Sequence, residues 1–117
     1  MLFRSDSSVM GRIDEQVIQA LFSTNQGEQK GSLGLIETFS AASAIKAADI
    51  AVKTARVEIY DLRVSRGMGG KGVVMITSEV GDVTAAVEAG SKYAQESGQL
   101  SSYSVIAAPH EGLWEQL

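Results

Sequence analysis

The chain has 117 residues, a formal net charge of −4 at pH 7, 44% hydrophobic and 21% charged residues, which is one ordinary globular domain with a core of its own and not two. With no Cys it has no disulfide framework, no thiolate metal or iron–sulfur ligation and no Cys nucleophile. Its single His excludes a His-rich metal site.

No apolar run approaches the ~20 residues of a membrane span. The start, Met1-Leu2-Phe3-Arg4-Ser5-Asp6, has no basic region followed by an apolar core, so no secretory signal is read there and a cytoplasmic protein is expected. The pI of about 4.9 and the lack of a long basic run argue against nucleic acid as a partner. Aromatics are few, with three Phe, three Tyr and one Trp against 12 Gly. The core must therefore come from Ala, Val, Ile and Gly, small residues that let elements approach closely.

Residues 1–30 are polar and weakly patterned. Within them, apolar residues at Ile13, Val17, Ile18, Leu21 and Phe22 form the stripe of a short amphipathic helix. Ser23 to Gly31 is a linker by composition. Leu33–Thr38 reads as a buried strand. Ser40 is placed to cap the next helix by accepting from a first-turn N–H. Ala41, Ala44, Ile45, Ala48, Ala51, Val52 and Ala55 then share one narrow helical face suited to lying flat on a sheet. Val57–Val64 alternates apolar and polar as a half-buried strand does. Glycines in Ser65–Gly72 mark a hairpin loop before the buried strand Val73–Ile76.

A second helix carries Val83, Ala86, Val87, Gly90 and Ala94 at helical spacing. Asp82 lies near its positive dipole end and Gly98 ends it. Tyr103–Ala107 is the last strand, Pro109 stops it, and Glu111–Leu117 is read as a short terminal helix. The order is β-α-β-β-α-β, an α+β split pattern with an antiparallel sheet and both helices on one face. Such an architecture hosts many functions and names none.

Particular residues say more. Leu33-Gly34-Leu35-Ile36-Glu37-Thr38, Ala47-Ala48-Asp49, Val52-Lys53, Val80-Gly81-Asp82-Val83, Ser104-Val105-Ile106 and Pro109-His110 together resemble a bacterial microcompartment (BMC) shell protein domain. The likeness is collinear over residues 31–117. The longer hairpin loop with Gly67-Met68-Gly69-Gly70-Lys71, and the ending Pro109-His110-Glu111-Gly112-Leu113-Trp114, look more finely like the second half of tandem, trimer-forming shell proteins of the propanediol-utilisation type. Residues 1–30 then look like the end of a first domain and its linker. Cut from its sheet, the 1–12 segment is expected to be mobile or rearranged.

The resemblance implies a ferredoxin-like BMC fold and a structural, non-enzymatic role. Six domains would form a hexameric or pseudo-hexameric tile with a central pore, packed edge to edge with copies of itself, with other shell proteins or with a separate first-half chain. It implies pore-lining positions at Ser65, Arg66, Gly67, Met68, Gly69, Gly70 and Lys71, and tile-edge positions at Lys53, Ala108 and His110. A loop repeated around an axis turns one Arg into a ring of positive charge, which favours anions and polar solutes. The family's edge arginine is Ala108 here, which implies rings that tile weakly. The iron–sulfur site of the tandem proteins uses a pore cysteine from the first domain and has no counterpart here, so no cofactor is implied.

Read without the resemblance, the same residues are plainer. The Gly loop is a flexible hairpin turn. It is not a P-loop, because Gly72 and not Ser or Thr follows Lys71, and a strand follows. Lys53 is a cation at a helix C-terminus. His110, with no second His or Cys, is a hydrogen-bonding residue at a strand end. Trp114 anchors the terminal helix by packing. Glu37, Asp49 and Asp82 are scattered, with no carboxylate pair for acid–base catalysis. A small-molecule-binding regulatory module of the same topology is the alternative function.

Overall fold

The computed structural model describes residues 13–22, 31–64 and 71–107. The elements are α1 (Glu15–Phe22), β1 (Ser32–Thr38), α2 (Ala41–Thr54), β2 (Glu58–Val64), β3 (Gly72–Ser78), α3 (Val80–Glu96) and β4 (Leu100–Ile106). The four strands form one sheet in the order β2-β3-β1-β4, and every neighbouring pair is antiparallel. From β1 onward this is the expected β-α-β-β-α-β order in an α+β fold. The terminal helix expected over 111–117, the 1–12 segment and most of the linker lie outside the described residues.

Helices and sheet meet through small residues. The Ser40 hydroxyl caps α2 by accepting from Ser43 N at 3.2 Å, which satisfies one of the orphan donors of the first turn. Ala44, Ala47, Ala48 and Ala51 of α2 are fully buried. The buried stripe is slightly rotated from the one read in the sequence: Ser43, Ala47 and Asp49 are in it, while Ala41, Ile45, Val52 and Ala55 are half-buried. On α3 all five expected positions are buried, and Ser91 with them. A Cβ at Gly34 of β1 would lie 2.6 Å from Val87 Cγ2 and 2.7 Å from Val83 Cγ1. The missing side chain is therefore what lets α3 sit close on the sheet. Gly98, with φ of 72°, follows α3 in the left-handed conformation.

Residues 34, 36 and 38 of β1 face the helices, and residues 33, 35 and 37 face the opposite side. The main core joins Ile36, Ile59, Leu62, Val74 and Ile76 of the sheet to the Ala and Val faces of α2 and α3. A smaller cluster of Leu33, Tyr60 and Met75, flanked by Leu35, Val73 and Ile106, lies on the other face. That cluster corrects the simple alternation expected for 57–64. The β2–β3 register slips between Ile59 and Asp61, so Asp61 stands opposite Met75 and Leu62 returns to the helix-facing core with Ile59, while buried Tyr60 joins Met75 on the other face. The extra residue of such a bulge leaves the ladder and re-aims its side chain.

β4 starts three residues before the strand expected at Tyr103. Its outer positions Ser101–Ser104 are exposed. An edge strand with little to bury carries no alternation for a sequence to show.

The short helix α1 packs beside β2 and α2. Val17 enters the main core with Ile13, Ala20 and Leu21 around it. Gln16 Oε1 accepts from Ile59 N across 43 residues of sequence. A side-chain amide thus occupies a backbone donor of edge strand β2, which would otherwise be open to pairing.

Candidate functional site

Of the residues expected to line a pore, Ser65 to Gly70 lie outside the described residues, and so do Ala108 and His110 of the expected tile edge. Lys71 and Lys53 are described, and their surroundings are specific.

Lys71 immediately precedes β3, at the end of the sheet where the β2–β3 hairpin turns. The register places Val64 and Thr38 opposite Gly72, so the end of β1 shares this end of the sheet. The Lys71 ammonium stands 4.0 Å from Glu37 Oε2 and 5.9 Å from the centre of the Phe39 ring. The other Glu37 oxygen accepts from Ser102 Oγ of β4 at 3.2 Å. A cation, a carboxylate and a hydroxyl from three chain segments therefore meet at the hairpin end, on the sheet face opposite α2 and α3. The pair is exposed and holds Lys71 only loosely. Glu37, which looked isolated in the sequence, is the anion of this group. No spacing rule reveals it, because Lys71 and Ser102 reach it only through sheet pairing.

Lys53 is in the last turn of α2, where its charge complements the negative dipole end. Its ammonium is 2.9 Å from Asp49 Oδ2, one turn earlier. The other Asp49 oxygen accepts from the backbone N–H of Asp14 at 2.7 Å. Asp49 is 3% exposed, whereas the Lys53 side chain is 44% exposed. A buried carboxylate thus ties the residue just before α1 to α2 and orients a cation toward solvent. Charge-assisted hydrogen bonds of this kind are the strong ones. The i,i+4 spacing of Asp49 and Lys53 makes that half of the arrangement visible in the sequence. The bond to Asp14 is not visible there.

Among the described residues no group of three or more His, Asp or Glu side chains is placed to hold a metal ion. Among the same residues no helix is long and apolar enough to cross a membrane.

Comparison with known proteins places this architecture. Residues 32–109 match the family described as the BMC domain. The chain is 38% identical over 112 residues to the bacterial microcompartment shell protein PduT of Citrobacter freundii, covering 96% of this chain and 61% of that one. It is 39% identical over 84 residues to the bacterial microcompartment shell protein EutM of Salmonella typhimurium, covering 72% of this chain and 85% of that one. The solved structure of a microcompartment protein from Desulfitobacterium hafniense DCB superposes with a TM-score of 0.81 at 40% identity, covering 88% of this chain and 57% of that chain. The chain thus spans roughly three-fifths of PduT and of that structural relative. A 78-residue family match, a close superposition and the sheet order observed here agree, and the chain belongs to the BMC domain family of microcompartment shell proteins.

Proposed function

We propose that this protein is a structural shell subunit of a bacterial microcompartment, placed in the cytoplasm, with no catalytic reaction of its own. The observation that carries the reading is the coverage of EutM, 85% of whose length is matched at 39% identity by 84 residues of this chain. The likeness to PduT over 61% of that protein supports the finer reading, in which residues 31–117 are the second of two such domains and residues 1–30 an N-terminal extension and linker with a short helix, the end of the first. Six domains make a flat tile, as a homohexamer or as a ring mixed with a first-half chain.

In that tile the loop Ser65–Lys71 lines the central opening. Arg66 or Lys71, repeated in every copy, supplies a ring of positive charge, to which backbone N–H groups at the glycines add, and the ring favours anionic or carbonyl-bearing metabolites. Lys53, held by Asp49, lies at the tile edge. Its aliphatic stem packs against a neighbouring tile while the ammonium donates to backbone carbonyls.

Native mass spectrometry of the isolated chain, followed by negative-stain microscopy, tests this. Six-membered rings are expected. Discrete dimers, or a monomer that gains no partner when a first-half chain is supplied, would reject it in favour of a small regulatory module.

A further inference from the structure

The flank between α3 and β4, at the sheet edge opposite β2, contains a second candidate site, which the shell reading does not use. A surface cavity of about 150 Å³ is lined by Glu88, Ser91, Lys92 and Gln95 of α3 and by Tyr103 of β4.

Ser91 marks the cavity as unfinished. A helical hydroxyl ordinarily returns its proton to a carbonyl one turn back. Thr54 Oγ1 does so to Ile50 O at 2.7 Å, and Ser97 Oγ to Tyr93 O at 3.1 Å. Ser91 does not. It is 4% exposed, and its hydroxyl is the one buried side-chain polar atom without a hydrogen-bond partner among the described residues. Native interiors rarely leave such a group unmet, which calls for an explanation.

The charged neighbours point the same way. Glu88 and Lys92 are one turn apart with the acid N-terminal, the order that favours an ion pair. Among the described residues they form none with each other, and both line the cavity. Tyr103 shares the helix-facing side with its β1 partner Ile36, is 57% exposed and forms the wall opposite α3.

We propose that this cavity binds a small carboxylate that carries a hydrogen-bond donor on the adjacent carbon. Its carboxylate lies toward Lys92 and Gln95 and accepts from the Ser91 hydroxyl. Its donor lies toward the Glu88 carboxylate, which accepts. Tyr103 covers its open side. A plain anion would meet Lys92 but face Glu88 with nothing to offer, so the two charges together select for the donor. The inference is independent of pore, tile edge and ring size.

The test is ligand-observed saturation-transfer NMR on the full chain in its native assembly, which reads weak binding to large particles. Glycolate is the probe and acetate the control lacking the donor. Glycolate is expected to bind with Kd on the order of 1–10 mM, as suits so small a ligand in an open site, and acetate several-fold more weakly. Lys92→Gln, a substitution at an exposed position, is expected to weaken glycolate about tenfold or more, and Ser91→Ala about three- to tenfold. No saturation of glycolate, equal affinity for acetate, or unchanged binding in Lys92→Gln would each overturn the proposal.

Discussion

Asp49 holds Lys53 at 2.9 Å with one carboxylate oxygen while the other takes the Asp14 N–H at 2.7 Å. The two contacts differ in weight. The Lys53 end is half in water and contributes about 0–1 kcal/mol. The Asp14 end joins two chain segments 35 residues apart through a nearly buried oxygen.

Removing the two partners therefore has unequal effects. Asp49→Ala should lower unfolding stability by about 1–3 kcal/mol, because it leaves a part-buried backbone donor unmet. Asp49→Asn keeps an acceptor and should lose less. Lys53→Ala should lose under about 1 kcal/mol. Urea denaturation of the three variants checks the order. If Lys53→Ala equals Asp49→Ala, the anchoring of α1 is not what Asp49 contributes.

Two glycines should respond in opposite directions to one added methyl. Gly34→Ala drives a Cβ to within 3 Å of buried Val83, Val87 and Ile76 and should destabilise by about 1–3 kcal/mol. That corresponds to a fall in Tm of several degrees, at about 4–8 °C per kcal/mol for a domain of this size. Gly81, in the first turn of α3, has nothing within 4 Å of such a Cβ. Gly81→Ala should stabilise by about 0.4–1 kcal/mol by restricting the unfolded chain. Thermal melts decide both signs.

Gln16 guards the β2 edge. Gln16→Ala frees Ile59 N, which Gln16 Oε1 otherwise engages. Hydrogen exchange should show faster exchange at Ile59, with a loss of about 0.5–1.5 kcal/mol in stability. Unchanged protection of that amide would mean the edge is covered by something other than Gln16.

The pore reading makes its own demand on Arg66. Single-channel recordings of reconstituted rings should show anion preference in the wild type and a shift toward cations in Arg66→Glu, since each copy would exchange its Arg66 charge for a negative one. An unchanged preference removes Arg66 from the mechanism.

In the proposed tile, Ala108 takes the edge position for which the family resemblance implies an arginine. Ala108→Arg should convert isolated rings into larger sheets under the microscope, and Lys53→Ala in the same background should reverse it. Sheets as extensive in the wild type as in Ala108→Arg would mean that another contact carries lateral packing.

How much of this was legible in the sequence depends on the range of the interaction. The Ser40 cap, the five buried positions of α3 and the Gly98 stop follow local rules of spacing and capping, and the structure has each of them, while the Ala face of α2 is present but rotated toward Ser43, Ala47 and Asp49. The order of elements and the family likeness followed from such local patterns read in series. The departures are at contacts between distant segments. The Tyr60 bulge, the early start of β4, the Glu37–Lys71–Ser102 group and the Asp49–Asp14 bond depend on strand register and helix docking. No local period encodes those.

By itself the sequence determined a cysteine-free α+β domain of the BMC type, because composition and hydrophobic period act within one element at a time. Only the tertiary structure decided which charges have partners and which buried hydroxyl has none, because those pairings are made when the sheet sets its register and the helices settle on it. Ser91 is the plainest case. In the sequence it is one more small residue on an Ala-rich helix, and in the fold it is a residue with a buried, unpartnered hydroxyl among those that line a cavity.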